Sequence, residues 1–316
     1  MLEKRKGRPL RPGSLIAVPT PGSPLIDRTY LESGFAWLGA RGFRVRLTEH
    51  ANIGASFKAG PPELRASDLH DAFADPEVDA ICPLTGGHSG SQVLPYLDYE
   101  LIAVHPKPFV AFSELTVLHA ALVGNAGLVT FYGPMVSALG VFPELTRQSW
   151  LRALTTSGPL GVVDPEGPPA RTVVPGVAEG ELVGGTLSLV DTLLGTPFEL
   201  DTRGKILLLE DVDEEPPRVD RFLNHLRNAG KLQECAGIWL GDFKRCVPRE
   251  QGPLWQGLNL TVEELIHELI VPLGIPAMHG LRVGHASEVV TVPLGVRARL
   301  DADAGRLELL EPALVE

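Results

Sequence analysis

The chain has 316 residues, with 28 basic side chains against 39 acidic ones and a formal net charge of −11. Apolar residues make up 44% and charged residues 21%, which excludes a wholly disordered chain because that much apolar side chain offsets the entropy of ordering. The acidic balance excludes general affinity for nucleic acid or an anionic membrane surface, since both require a positive field.

At roughly 150 residues per domain the length predicts two domains. The three cysteines, Cys82, Cys235 and Cys246, are widely spaced and form no CxxC pair. Neither a disulfide framework nor a zinc ribbon is therefore expected, and a reduced, cytoplasmic setting is. The basic start, Met1 to Arg11, leads into Pro12, Gly13 and only a short apolar run, Leu15 to Val18. That is no signal-peptide core, and no run approaches the ~20 residues of a spanning helix. A frayed, solvated terminus is the expectation.

Strand-like and helix-like segments alternate through the first half. Leu15 to Val18 reads as a buried strand ending at Pro19, Pro21 and Gly22. Asp27 can cap a helix carrying Tyr30, Leu31, Phe35 and Leu38 on one face. A strand over Phe43 to Leu47, a helix around Leu64 to Phe73 and a strand over Val78 to Leu84 follow. Next come the turn Gly86-Gly87-His88-Ser89-Gly90, a helix from about Gln92, a strand over Phe109 to Phe112 and a helix after Ser113. Such alternation predicts parallel βαβ units, with working residues in loops at the carboxyl ends of strands. The turn after Leu84 and the turn at Ser113 both occupy that position.

Between Gly158 and Gly180 the composition shifts to proline and glycine, which predicts a linker between domains. Beyond it lie strand-like runs over Leu187 to Leu193, Lys205 to Leu209, Ile238 to Leu240, Val289 to Val292, Val296 to Leu300 and Leu307 to Leu310. Helices are expected around Arg218 to Ala229 and after the capping box Thr261-Val-Glu-Glu264. The tail predicts a hairpin turning at Asp301 to Gly305. The expected organisation is an α/β domain over 1–157, a linker over 158–180, and a β-rich, barrel-like domain with helices over 181–316.

Three features could carry chemistry. The turn TGGHSGSQ, residues 85 to 92, presents serines and free amides where a strand passes into a helix. The strand Leu-Leu-Leu-Glu210-Asp211 ends in two carboxylates, and Gly284-His285 offers an imidazole. Serine, acid and histidine together could supply a nucleophile, a base and a group that orients the ring. Spacing alone does not bring them together.

The segment LTGGHSGSQVLPYLDYELIAVHPKPFVAFSELTVLHAALVGNAGLVTFYGP resembles the LD-carboxypeptidase family of serine peptidases, which includes the microcin C self-immunity peptidases. The resemblance continues through RPGSLIAVPTPGSP, LVGGTLSLVDTLLGTPFE, KILLLEDVDEEPPRVDRFLNHLRNAG, GIWLGDF and PAMHGLRVGHASEVVTVPLG, in family order over nearly the whole chain. It implies an N-terminal parallel-sheet α/β domain and a C-terminal domain built around a small barrel-like β structure. It also implies a Ser-Glu-His triad split between the domains, with no metal or other cofactor. The glutamate falls on Glu210 and the histidine on His285. The implied substrate is a muropeptide or small peptide conjugate, cleaved at an amide. Members are often dimers, so a homodimer is also an expectation.

The serine is where the chain departs from the family pattern. A gap-free match to GGYGSNRLLP places Gly90 at the nucleophile position, with Ser89 and Ser91 on either side. Ser91 follows a glycine, as the family serine commonly does, and is the expected nucleophile, with Ser89 the alternative. Gly87, Gly90 and Ser113 are expected in the oxyanion and substrate turn. The family's arginine before the GG pair is Thr85, its GGNL is Gly184 to Leu187, and its SD pair is Ser113-Glu114. The leading expectation is a serine carboxypeptidase. Gly90 supports a second reading, a catalytically impaired homologue that binds a peptide fragment, and a third has His285 and Glu210 activating water directly.

Overall fold

The apolar run Leu15–Val18 forms β1, buried along its length. The computed structural model describes residues 3–25, 27–51, 54, 56–248 and 260–316. Helix α1 (Arg28–Gly39) starts where the Asp27 carboxylate accepts from the Thr29 amide at 2.9 Å, a cap that stabilises a helix by about 1 kcal/mol. Strand β2 (Arg44–Leu47), helix α2 (Pro62–Ala74) and strand β3 (Val78–Ile81) follow, with β2 and β3 parallel to β1 on its two sides. The helix expected from Gln92 divides into a 3₁₀ segment over Gly90–Tyr96 and a short α3 (Tyr99–Val104). Pro95 lacks an amide proton, and Asp98 caps the new helix through the amides of Glu100 and Leu101.

Strand β4 (Val110–Ala111) leads through a 3₁₀ turn at Ser113–Leu115 into α4 (Thr116–Asn125), then β5 (Thr130–Tyr132), α5 (Val136–Leu139) and α6 (Glu144–Thr155). β5 lies parallel to β4, and a parallel bridge from Ile81 to Phe109 joins this pair to β3. The first half is thus a parallel sheet covered by helices, as its alternating pattern predicts.

The proline- and glycine-rich stretch 158–180, expected as a linker, contains β6 (Pro159–Val162), β7 (Arg171–Val174) and the start of β8 (Val177–Thr186). Proline is tolerated here because β6 and β7 are the two outermost strands of the second sheet. The run Leu187 to Leu193, expected as a strand, is instead helix α7 (Leu187–Thr192). A short apolar run does not distinguish a buried strand from a buried helix, and here Leu187 and Val190 point inward three residues apart.

The chain continues through β9 (Ile206–Val212), α8 (Pro216–Asn228), β10 (Gly237–Lys244), α9 (Val262–Leu269), β11 (Ala277–His279), β12 (Val292–Leu294), β13 (Arg297–Asp301) and β14 (Arg306–Pro312). Thr261 and Glu264 make the reciprocal capping box at the start of α9, and β13 and β14 form the expected hairpin. The second sheet runs β6-β14-β13-β8-β9-β10-β11-β7, with β8 to β11 parallel in the middle. Strand β12 leaves this sheet and pairs antiparallel with β5 of the first. The late chain therefore returns to the first half, bringing the segment just before β12 against the carboxyl ends of β4 and β5.

Candidate active site

Ser113 lies just beyond β4 with φ +62°, in the left-handed region that is uncommon for residues other than glycine. A strained serine between a strand and a helix presents its hydroxyl clear of both elements, as in a nucleophile elbow. Glu210 lies near the end of β9 and is fully buried. His285 lies in the loop between β11 and β12. Its Nε2 is 3.0 Å from Ser113 Oγ, and its Nδ1 is 2.8 Å from Glu210 Oε2.

This geometry sets the proton positions. An ionised carboxylate only accepts, so Nδ1 carries the ring proton and Nε2 is left free to accept from the serine hydroxyl. The His285 amide also donates to Glu210 Oε2, at 3.2 Å, which fixes the loop as well as the ring. Phe112 packs on the imidazole with ring centroids 5.1 Å apart. Gly284 permits the approach: its φ is +83°, and a Cβ there would lie 2.1 Å from Glu210 Oε2.

The other oxygen of Glu210 is equally engaged. Tyr132 Oη donates to Oε1 at 2.6 Å and Thr186 Oγ1 donates to it at 2.7 Å. Four donors thus compensate the desolvation of a buried carboxylate. Burial and the neighbouring Glu210 charge hold the Tyr132 phenol well above its usual range, so it remains a donor.

The structure brings together Ser113, His285 and Glu210, and places the expected serines elsewhere. Ser89, with φ +70°, receives hydrogen bonds from Arg65 at its carbonyl (3.1 Å) and its hydroxyl (3.3 Å). Ser91 follows in the 3₁₀ segment, and among the described residues the hydroxyl bonded to His285 is that of Ser113. Gly90 is also placed differently from the expectation. Its amide donates to Glu114 Oε1 at 2.6 Å and so is not free to face a developing oxyanion. A Cβ at Gly90 would sit 3.3 Å from Glu114, Leu115 and Val117, so the position is small because it packs against the Ser113 turn.

The remaining turn does approach the serine. A Cβ on Gly86 would lie 3.5 Å from Ser113 Cβ and 3.6 Å from the Glu114 nitrogen. Gly87 has φ +90°, and a Cβ there would collide with Ser23. Arg65, almost fully buried, ties this turn to the body of the molecule through Pro21, Ser89 and Gln92.

The acidic run at the end of β9 and just beyond it is largely spent locally. Asp211 is buried and accepts from the Ser188 and Val212 amides, and burial pushes its carboxyl up to about 6. Asp213 pairs with Arg245, and Glu214 with Arg218. Among the described residues, no group of three or more His, Cys, Asp or Glu is placed to hold a metal ion. No helix among them is long and apolar enough to cross a membrane.

Ser113 stood in the sequence as the start of an SE pair in the substrate turn. The signal that marks it is positional: it ends a buried strand and begins a helix, as catalytic loops in parallel sheets do.

Comparison with known proteins identifies the family. Residues 16–133 match the LD-carboxypeptidase N-terminal domain, and residues 179–300 match the LD-carboxypeptidase C-terminal domain. The chain is 38% identical over 314 residues to a probable murein peptide carboxypeptidase of Bacillus subtilis, covering 98% of this chain and 96% of that one. It is 31% identical over 295 residues to a murein tetrapeptide carboxypeptidase of Pseudomonas aeruginosa, covering 91% and 93%. The crystal structure of an MccF-like protein from Bacillus anthracis superimposes with a TM-score of 0.84 at 27% identity, covering 96% of this chain and 99% of that one. Two domain matches in order, with relatives similar end to end, make the chain a member of the LD-carboxypeptidase family of peptidases.

Proposed function

We propose that the protein is a serine carboxypeptidase that cleaves an amide in a muropeptide or small peptide conjugate, with Ser113 as nucleophile, His285 as general base and acid, and Glu210 as the group that orients the ring. The observation that carries this reading is the unbroken line from Ser113 Oγ through the two nitrogens of His285 to Glu210, at 3.0 and 2.8 Å. These distances are within hydrogen-bond reach for proton transfer. The names of the murein peptide relatives support the substrate class.

In this mechanism Ser113 Oγ attacks the scissile carbonyl carbon while its proton passes to His285 Nε2. The imidazolium is stabilised by Glu210, which four hydrogen bonds hold in place. The oxyanion is received by turn amides, for which Gly87 and Glu114 are the candidates because Gly86 brings the turn against Ser113. Collapse of the intermediate breaks the carbon–nitrogen bond, and Nε2 returns the proton to the departing amine. Water, deprotonated by the same nitrogen, then attacks the acyl-enzyme, releasing the shortened peptide and restoring the serine. No step requires a metal or other cofactor. A cytoplasmic site of action and a homodimer remain part of the proposal, suggested by the free cysteines and by the family resemblance.

A non-catalytic reading draws on Gly90 at the gap-free nucleophile position. Gly90 has a packing explanation, so no specific observation favours that reading. Direct activation of water by His285 is less apt, because a serine hydroxyl already occupies the position from which Nε2 would take a proton.

The test is labelling by a fluorophosphonate probe together with hydrolysis of murein tetrapeptide. Label is expected on Ser113, and Ser113→Ala should lower kcat/KM by at least about 10⁴-fold. Ser91→Ala should stay within about threefold of wild type, because no interaction with the reacting atoms is lost. Full activity in Ser113→Ala, or label on Ser89 or Ser91, would sink the assignment.

A further inference from the structure

Two hydroxyl groups meet the hidden side of Glu210. Tyr132 Oη and Thr186 Oγ1 both donate to Oε1 and lie 3.0 Å from each other. They come from different sheets: Tyr132 ends β5 of the first, and Thr186 ends β8 of the second. Both are buried. Each is also bonded back toward the serine. The Ser113 amide donates to Tyr132 Oη at 3.4 Å, and the Thr186 amide donates to Thr116 Oγ1 at 3.0 Å, on the first turn of the helix that follows Ser113.

We infer that Tyr132 and Thr186 are positioning residues that couple the backbone of Ser113 to the carboxylate of Glu210, setting both the reach of the serine and the basicity of the Glu210–His285 pair. The inference rests on the triad proposed above. Among the described residues, the Ser113 and Glu210 side chains are linked by hydrogen bonds through His285. Tyr132 supplies a second connection from behind, so the strained serine and the buried acid are referred to the same phenol.

The electrostatic half follows from hydrogen bonding to an anion. Donors to Oε1 disperse the carboxylate charge and lower its attraction for the proton on His285. The titratable groups around Glu210 are His285 from the loop after β11, Asp211 beside it on β9, Tyr132 from β5, and Cys246 after β10. Of these, Tyr132 and His285 hydrogen-bond to its oxygens. Removing the phenol hydroxyl should therefore make the Glu210–His285 pair hold its proton more tightly, and the active, unprotonated base should appear only at higher pH.

The experiment compares Tyr132→Phe, Thr186→Val and Thr186→Ser with wild type on murein tetrapeptide, with kcat, KM and the pH profile of kcat/KM measured for each. Tyr132→Phe is expected to lose about 10- to 100-fold in kcat with little change in KM, since sub-ångström misplacement of a nucleophile costs on that order. Its acid limb should move up by about half a pH unit or more. Thr186→Val should show a smaller shift in the same direction, and Thr186→Ser, which keeps the hydroxyl, should return both readouts to near wild type. Unchanged kcat and acid limb in folded Tyr132→Phe and Thr186→Val would overturn the inference. If Tyr132→Phe fails to fold, the Thr186 pair decides, with serine and valine behaving alike counting against it. Fluorophosphonate labelling of wild-type Ser113 separates the two proposals: its absence removes the triad itself, whereas labelling with unshifted variants removes only the role of Tyr132 and Thr186.

Discussion

The backbone amide of Gly90 donates to Oε1 of Glu114 at 2.6 Å, tying the glycine-rich turn to the residue directly after Ser113. The bond unites two loops separated by more than twenty residues into one platform. Burial pushes the Glu114 carboxyl above its usual range, and the Gly90 amide draws it back.

Glu114→Ala would leave a buried amide without its acceptor, a loss of about 1–3 kcal/mol. Urea unfolding should show that loss, and kcat should fall with it because the turn beside Ser113 is released. Gly90→Ser is the complementary variant. It should not create a nucleophile, and peptide mapping after fluorophosphonate treatment should find the label only on Ser113. Label at position 90 would contradict the packing account.

Gly284 sits against Glu210, the acid of the proposed triad. Gly284→Ala meets both a left-handed φ and a Cβ placed 2.1 Å from Glu210 Oε2. The two costs together should destabilise the protein by about 2–4 kcal/mol and move His285 away from Glu210. Thermal unfolding and tetrapeptide hydrolysis should fall together in this variant; retention of wild-type activity would show that the loop can shift freely.

His119 provides a pH test of the core. It is fully buried, with Nε2 2.8 Å from the Ala111 carbonyl and Nδ1 2.8 Å from Thr130 Oγ1. Burial lowers its pKa to about 4, from the ordinary histidine value of about 6.5. The unfolded chain therefore binds more protons than the folded one between these values, and stability falls as pH drops through that window. Asp211, raised to about 6 by burial, acts with the opposite sign between the ordinary carboxylate range and about 6. The His119 contribution is isolated by comparing wild type with His119→Gln. The loss of stability between pH 7 and pH 5 should be smaller in the variant by about 2 kcal/mol. Equal losses in the two proteins would mean that His119 is not held neutral.

The cysteines give a chemical control. Cys82, Cys235 and Cys246 are all buried and free. Burial raises all three thiols, Cys235 and Cys246 to about 12. Thiolate, the reactive form, is scarce at neutral pH. Iodoacetamide at pH 8 should leave the native protein unmodified and its hydrolysis intact, whereas urea should expose all three thiols. Rapid inactivation of the folded protein would point to a thiol within reach of the site.

Much of the architecture is legible in local pattern. Asp27, the Thr261–Glu264 box and the Asp301 to Gly305 hairpin each act within a few residues, and all three appear where the sequence places them. Long-range choices are less legible. Leu187 to Thr192 has the composition of a strand, but the chain turns after β8 and the Asp211 carboxylate takes the Ser188 amide, which favours a helix. The stretch 158–180 has the composition of a linker, yet its strands find partners in β14 and β11, far away in the chain.

The same division runs through the site. The order of sequence blocks by itself determined the family and the parallel α/β plan, and it singled out Glu210 and His285, which the fold brings into contact, because each belongs to a recognisable block. Which serine meets that imidazole was decided only in three dimensions. Ser113 and His285 are 172 positions apart, and their contact depends on β12 crossing back to β5. Three serines lie on adjacent loops with similar local chemistry, so spacing along the chain could not rank them. The left-handed backbone of Ser113, the Gly90–Glu114 bond and the return of the late chain together aim one hydroxyl at Nε2 and leave Ser89 with Arg65.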